Sequence, residues 1–218
     1  MKKKIISPSL LNVSKNNRLK LVRTFLNLGI KWFHFDFMDG KFVENTAISL
    51  SEIKKIVTKS KKFISDAHLM SSDPESQIEE LIGYVDFVTI HFESKNYDEI
   101  HRIILKYSEK IKIGLAIKPS TKIEEILDLL PKIDLILVMS VEPGKGGQDF
   151  IQETYQKISN LSKIIRESNY NILIQVDGGI KDYNAKKVFE SGADIIVVGT
   201  FLAQKPNKTK IQKLLNWH

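Results

Sequence analysis

The sequence predicts an α/β fold, a single-domain (β/α)8 barrel, on three observations. Short β-rich runs alternate with longer amphipathic ones from end to end, there are eight of each, and no linker, low-complexity tract or charge block divides the 218 residues. An open doubly wound sheet usually has fewer strands, whereas β/α barrels reach this length undivided. The expected domain is the whole chain, residues 1–218, as one catalytic barrel.

The first strand spans 4–9 and ends in Ser7-Pro8-Ser9; the helix after it spans 18–28, where Gly29 stops it. The second strand, 32–37, sets His34 and Asp36 on one face and Phe33, Phe35 and Phe37 on the other, because successive side chains of a strand alternate. Met38-Asp39-Gly40 then turns the chain, with Asp39 assigned to the turn, and a helix follows over 49–59. The third strand, 63–69, delivers His68-Leu69-Met70, and its helix, 74–83, opens on Asp73-Pro74-Glu75 as a cap with proline at the first helical position and stops at Gly83. The fourth strand, 87–90, is followed by His91, to which a structural hydrogen bond is assigned, and by a helix over 98–107. The fifth, 112–116, leads through Thr121 and Glu124, which have the spacing of a capping box, to a helix over 123–130. The sixth, 135–139, ends in Met139-Ser140 and precedes a long glycine-hinged loop and a helix over 155–167. The seventh, 172–176, ends in Asp177-Gly178-Gly179, with a helix over 183–191 stopped by Gly192; the eighth, 195–198, ends in Gly199-Thr200, and a last helix spans 208–217.

Composition excludes several functions. The formal charge of +7 invites a nucleic-acid reading, but the lysines are scattered over helical segments and form no dense patch interleaved with aromatics. No nucleic-acid partner is expected, and mild steering of a small anionic substrate accounts better for the charge. No apolar run approaches the ~20 residues that span a bilayer, and Pro8 interrupts the first apolar run too early for a signal-peptide core. No membrane association is expected, and the expected location is cytoplasmic. Cysteine is absent, so any metal site must be built from His, Asp or Glu.

In such a barrel, chemistry sits at the C-terminal ends of the strands. His34 and Asp36 alone fit a hydrogen-bonded structural pair as well as a metal site. With His68 and Asp177 at matching strand ends, a nitrogen-and-oxygen site for a divalent ion becomes the better reading. The glycines form a second group: Gly144, Gly146 and Gly147 after the sixth strand, Gly178 and Gly179 after the seventh, and Gly199 after the eighth. Glycine lets backbone N–H groups approach an anion, and barrels of this type bind phosphate in the last βα loops. The loop after the sixth strand has the form of a lid. Met38, Met70 and Met139 also fall at the mouth, as core filler or as a soft lining. His101, on a helix, and His218, at the terminus, are not candidates.

Six segments carry a specific resemblance: Ile6-Ser7-Pro8-Ser9-Leu10-Leu11, the run from His34 through Asp36-Phe37-Met38-Asp39-Gly40 to Val43, Asp66-Ala67-His68-Leu69-Met70, Gly114-Leu115-Ala116-Ile117-Lys118-Pro119, Val138-Met139-Ser140-Val141-Glu142-Pro143-Gly144 with Gly146-Gly147-Gln148, and Val176-Asp177-Gly178-Gly179-Ile180. Together, in order and across nearly the whole chain, they closely resemble the ribulose-phosphate 3-epimerase family. The resemblance implies a TIM barrel of the ribulose-phosphate-binding type that interconverts D-ribulose 5-phosphate and D-xylulose 5-phosphate in the pentose phosphate pathway. It implies one divalent metal ion per subunit, with Zn, Fe(II), Mn or Co all compatible, held by His34, Asp36, His68 and Asp177. Asp36 and Asp177 would be the acid and base that exchange the C3 proton through a metal-stabilised enediolate. Ser9, His34, His68 and Asp177 would contact the sugar, Met38, Met70 and Met139 would exclude water beside it, and Gly144, Lys145, Gly146, Gly147, Gly178, Gly179, Gly199 and Thr200 would surround the phosphate. The implied partners are a small phosphorylated ketose and further copies of the chain in a homo-oligomer.

Three departures from the family pattern stand out: Glu44 replaces a proline, Ser49 a glycine, and Lys145 an aromatic residue between the lid glycines. None removes a ligand or an acid, but they bear on lid packing and sugar length, and Lys145 either reaches the phosphate or points to solvent. The alternatives are a related ketohexose-6-phosphate 3-epimerase of the allulose-6-phosphate type, suggested by residues 45–50, and a non-catalytic phosphosugar-binding protein, against which the intact acid pair argues. A barrel decarboxylase lacks its Asp-x-Lys-x-x-Asp array here.

Overall fold

In the computed structural model, which describes residues 4–215, strands and helices alternate as expected: β1 Ile5–Pro8, α1 Lys15–Asn27, β2 Trp32–Met38, α2 Leu50–Thr58, β3 Ile64–Met70, α3 Pro74–Leu81, β4 Phe87–His91, α4 Tyr97–Tyr107, β5 Lys112–Ile117, β6 Leu135–Met139, α5 Thr154–Glu167, β7 Leu173–Asp177, α6 Asp182–Glu190, β8 Ile195–Val198, α7 Thr200–Ala203 and α8 Lys208–Leu215. The end of the expected last helix, at 217, and His218 lie outside the described residues.

All eight strands are parallel and form one sheet in the order β1-β8-β7-β6-β5-β4-β3-β2, a (β/α)8 TIM barrel. The seam differs from the other joins. Between β1 and β2 the ladder is reduced, among the described residues, to the single parallel bridge of Ser9 with His34, so the ring closes at its mouth. Each of the even strands β4, β6 and β8 is preceded by an aspartate that clasps the odd strand before it. Asp86, Asp134 and Asp194 accept the backbone N–H of Ser65, Ile113 and Ile174 at 2.8, 2.9 and 2.9 Å. In return their own N–H groups donate to the carbonyls of those residues. These clasps satisfy buried backbone at the lower rim of the barrel.

Alternation along each strand divides the core in two. Phe33 and Phe35 point outward into the large cluster between sheet and helices, while Trp32, Phe87, Leu135, Leu137 and Ile195 fill the inside of the barrel. Trp32 and Phe87 pack with ring centroids 5.2 Å apart and plug the lower part, leaving the polar residues at the upper strand ends.

Several expected details differ. Helix α1 begins one turn early, at Lys15 after Ser14, because its first turn is polar and shows no apolar period. The segment expected as a helix over 123–130 is a 3₁₀ stretch, Ile123–Lys132. Pro131 sits inside it and can neither donate to the helical ladder nor tolerate the carbonyl of the preceding turn. Thr121 does not cap it, since its hydroxyl donates to Glu93 instead. Glu125, not Glu124, folds back to accept the Lys122 N–H at 2.7 Å. Asp73 precedes Pro74 as expected but makes no side-chain cap bond. Gly29, Gly83 and Gly192 do end their helices, with φ of 92°, 81° and 119°. The four-residue α7 after Gly199 was not expected, being too short for any period to reveal it.

Candidate metal and active site

Four side chains converge at the mouth. His34 and Asp36 rise from β2, His68 from β3 and Asp177 from the end of β7, and one ligand atom from each lies within 4.8 Å of all the others. His34 Nε2 is 3.4 Å from Asp36 Oδ1, 3.2 Å from His68 Nδ1 and 3.9 Å from Asp177 Oδ2, and His68 Nδ1 is 3.4 Å from Asp36 Oδ1. Both imidazoles are fully buried, whereas the Asp177 side chain keeps 19% of its surface. Asp177 is thus the member of the cage that most faces the cavity.

Strand register explains the gathering. Side by side in the sheet, His34 pairs with Asp66 and Asp36 with His68, so the His-x-Asp of β2 meets an Asp-x-His of β3 running in the same direction. The crossed arrangement gives each histidine a carboxylate beside it. His34 Nδ1 donates to Asp66 Oδ2 at 2.9 Å, and Thr89 Oγ1 donates to the other oxygen at 2.7 Å. That bond turns His34 Nε2 into the cage. His68 presents Nδ1 to the cage and leaves Nε2 2.9 Å from His91 Nε2, whose Nδ1 in turn donates to Glu93 Oε2 at 3.0 Å. The structural hydrogen bond expected of His91 is therefore present, and it leads to a cage ligand.

Charge is unevenly held. Burial alone would raise the Asp36 carboxyl, but the His34 and His68 rings outweigh burial and hold it well below the usual carboxylate range. The Ser9 hydroxyl adds a 2.6 Å bond to its Oδ2. Asp177 moves the other way, to about 7, through burial first and the Asp36 charge second. Burial opposes the charged form of His34, yet Asp36 and Asp66 outweigh it and raise that ring, while burial lowers His68. Burial also brings His91 down to about 4 against the pull of Glu93.

This donor set fits a divalent cation. Two imidazole nitrogens and two carboxylate oxygens at one point, with outer hydrogen bonds that fix the rings, meet the requirement for a nitrogen-and-oxygen metal site. Without such a guest, three buried polar groups and the half-buried Asp177 would face one another with only partial compensation.

Above the cage lies a cavity lined by Ser9, Asp36, Met38, Met70, Met139 and Asp177, and further out by Gly144, Lys145, Gly146, Gly147, Gly178, Gly179, Gly199 and Thr200. Every expected substrate contact lies on this wall except His34 and His68, which sit fully buried beneath it. Two glycines are required by close approach: a Cβ on Gly179 would lie 2.5 Å from the Phe150 nitrogen, and one on Gly178 2.5 Å from Val141, both at positive φ. The Ser140 hydroxyl donates to the carbonyls of Asp177 and Gly178, at 2.9 and 2.7 Å, and so fixes the turn that carries Asp177.

The loop over the cavity is tied down by amides. Gln148 Nε2 donates to the carbonyls of Glu142 and Lys145, and Asn45 Nδ2 donates to the Gly144 carbonyl at 2.8 Å. Asp39 does belong to the turn, accepting the N–H groups of Lys41 and Phe42 and, from the next loop, that of Ser72. Ser49 caps α2 by accepting the Glu52 N–H, at 3.3 Å. Sequence reasoning gave no role to Asp66, Glu93, Asn12, Glu142 or Lys181; the first two stand behind the histidines and the last three line the cavity. The one available signal was Asp66, two residues before His68 and therefore on the same strand face.

Residues 5–203 match the profile described as the ribulose-phosphate 3 epimerase family. Among curated proteins, the chain is 37% identical over 210 residues to the ribulose-phosphate 3-epimerase of Schizosaccharomyces pombe and 35% identical over 205 residues to that of Synechocystis, covering 93% of this chain and 89% of each relative. It is also 36% identical over 200 residues to the chloroplastic ribulose-5-phosphate-3-epimerase of Arabidopsis thaliana, covering 90% of this chain and 70% of that protein. Among the described residues, no helix is long and apolar enough to cross a membrane.

Proposed function

The chain belongs to the ribulose-phosphate 3-epimerase family, and from that premise we propose that it interconverts D-ribulose 5-phosphate and D-xylulose 5-phosphate by exchanging the C3 proton between Asp36 and Asp177. The observation that carries this reading is the four-ligand cage, with atoms within 4.8 Å of one another, opening into a glycine-lined cavity.

The carbon to be inverted lies next to a ketone. One group must take its proton from one face while its electron pair moves toward the carbonyl, and a second must return a proton to the opposite face. Asp36 and Asp177 stand on separate strands and differ in proton affinity, as an acid and a base at one site should. The direction of reaction decides which begins as base. His34, Asp36, His68 and Asp177 would hold the divalent cation, whose positive charge, when bound, offsets the negative charge that develops on the substrate oxygens. Its donors accept Zn, Fe(II), Mn or Co. Ser9 holds Asp36 in place, the buried methionines Met38, Met70 and Met139 exclude water, and the backbone N–H groups of the glycine turns receive the phosphate.

We infer a cytoplasmic location and a place in the pentose phosphate pathway as part of the same reading. We further infer a homo-oligomer, to be read from sedimentation. The hexulose-phosphate alternative is not favoured, since the curated relatives are named for ribulose phosphate. Purified protein supplied with a divalent metal should convert ribulose 5-phosphate to xylulose 5-phosphate. Asp36→Asn and Asp177→Asn should each lower kcat by about 10²–10⁴-fold. Full turnover in both variants, or a higher kcat/KM on hexulose phosphate, would overturn the assignment.

A further inference from the structure

Behind the cage runs a line of buried groups that the proton transfers do not use. His68 Nε2 lies 2.9 Å from His91 Nε2, and His91 Nδ1 lies 3.0 Å from Glu93 Oε2. The other oxygen of Glu93 accepts the backbone N–H of Lys118 at 2.7 Å and the hydroxyl of Thr121. Lys157, on α5, fixes this last loop by donating to the carbonyls of Lys118, Pro119 and Thr121 at 3.2, 2.6 and 2.7 Å. Both rings are fully buried, so bulk water offers them no alternative partner.

Starting from Glu93, each link of this line permits one assignment of protons. A backbone N–H can only donate, so the Glu93 oxygen facing Lys118 must accept. A carboxylate accepts at both oxygens, and the Nδ1 of His91 facing its second oxygen must therefore carry the proton. A neutral ring protonated at Nδ1 has a lone pair at Nε2, which can only accept from His68 Nε2–H. His68 is then left with its lone pair on Nδ1, the nitrogen that faces Asp36 and His34. We propose that Glu93, acting through His91, is the positioning residue that sets the tautomer of His68 and so keeps a ligand lone pair directed into the cage. The proposal rests on the reading of the cage as a cation site and names which outer residue makes it competent.

The near-isosteric Glu93→Gln variant gives the sharpest test. Its carbonyl must face the Lys118 N–H, so its NH2 group faces His91 and donates where a carboxylate accepted. The proton of His91 moves to Nε2, His68 becomes protonated at Nδ1, and the ligand lone pair is lost. Titration with Co(II), followed by its visible absorption, should show affinity falling at least about 10–100-fold in this variant. Glu93→Ala, which imposes no donor on His91, should lose less. That order is opposite to the one expected of a merely structural side chain, for which the larger, more similar glutamine would be the milder change.

The ¹⁵N spectrum of the cation-free unaltered protein should show His68 protonated at Nε2 and His91 at Nδ1, and His68 should switch to Nδ1 in the glutamine variant. Co(II) affinity within twofold of the unaltered protein, alanine worse than glutamine, or His68 protonated at Nδ1 in the unaltered protein would each overturn the proposal. The spectrum of the unaltered protein decides the matter even if a variant fails to fold. Failure of the unaltered protein to bind Co(II) would instead overturn the cage reading, which keeps the two conclusions separable.

Discussion

Asp66 moves no proton in the reaction, yet it is fully buried between His34 and Thr89 and determines which nitrogen of His34 faces the cage. Asp66→Ala should therefore weaken divalent metal binding by about 10–100-fold without removing any ligand. Calorimetric titration with Mn(II) measures this, and unchanged affinity would show that packing alone holds the ring. The four cage residues were legible in the chain because each is a polar side chain at the end of an apolar strand. The outer residues were not. Asp66 stood in full view two residues before His68, but its partner became visible only with the register of β2 against β3. Glu93 depends on a longer path, because the loop that holds it comes from beyond β5. Lys145, which could have reached the phosphate or solvent, lines the cavity and leaves its side chain exposed.

Among the elements, α3 and α4 are joined by charge. Glu75 of α3 accepts from Arg102 and Lys106 of α4, each with one bond of 2.6 Å, and Tyr107 adds its hydroxyl to Glu79 at 2.6 Å. Arg102 first and Lys106 second hold the Glu75 carboxyl at about 2, below its ordinary 4.5. A carboxyl lowered in the folded state stabilises the protein when ionised. That contribution is complete above 4.5 and is lost as pH falls toward 2. The gap in thermal midpoint between the unaltered protein and Glu75→Gln should thus narrow as pH falls across that window, and narrow also with added salt, since both cations are exposed. A gap independent of pH would exclude the ion pairs as its source. The strands and most helices could be read from period and punctuation. The 3₁₀ stretch Ile123–Lys132 could not, because its apolar spacing suits a helix while Pro131 and the bond from Thr121 to Glu93 decide its form.

At the scale of the whole molecule, an apolar plug fills the lower barrel and a polar cage opens above it, so buried polar cost is concentrated where chemistry needs it. The strand count and the order of units were legible because a βα repeat has nowhere to pack its strands except in one ring or sheet. The unequal joins of that ring were not, since a ladder length is a property of two strands together. The thin β1–β2 seam has a meaning for how the molecule fails. Among the described residues, one backbone bridge there joins Ser9 to His34, and Ser9 also bonds Asp36, so the last stitch in the cylinder is sewn through the candidate site. A barrel that parts at this stitch keeps seven strand pairings and nearly all its helix, yet its cage residues have drifted apart. In graded urea, activity should disappear at lower concentrations than far-UV ellipticity, and coincident midpoints would show that the seam opens only with everything else. Damage to this enzyme would then begin as silence and only later become collapse.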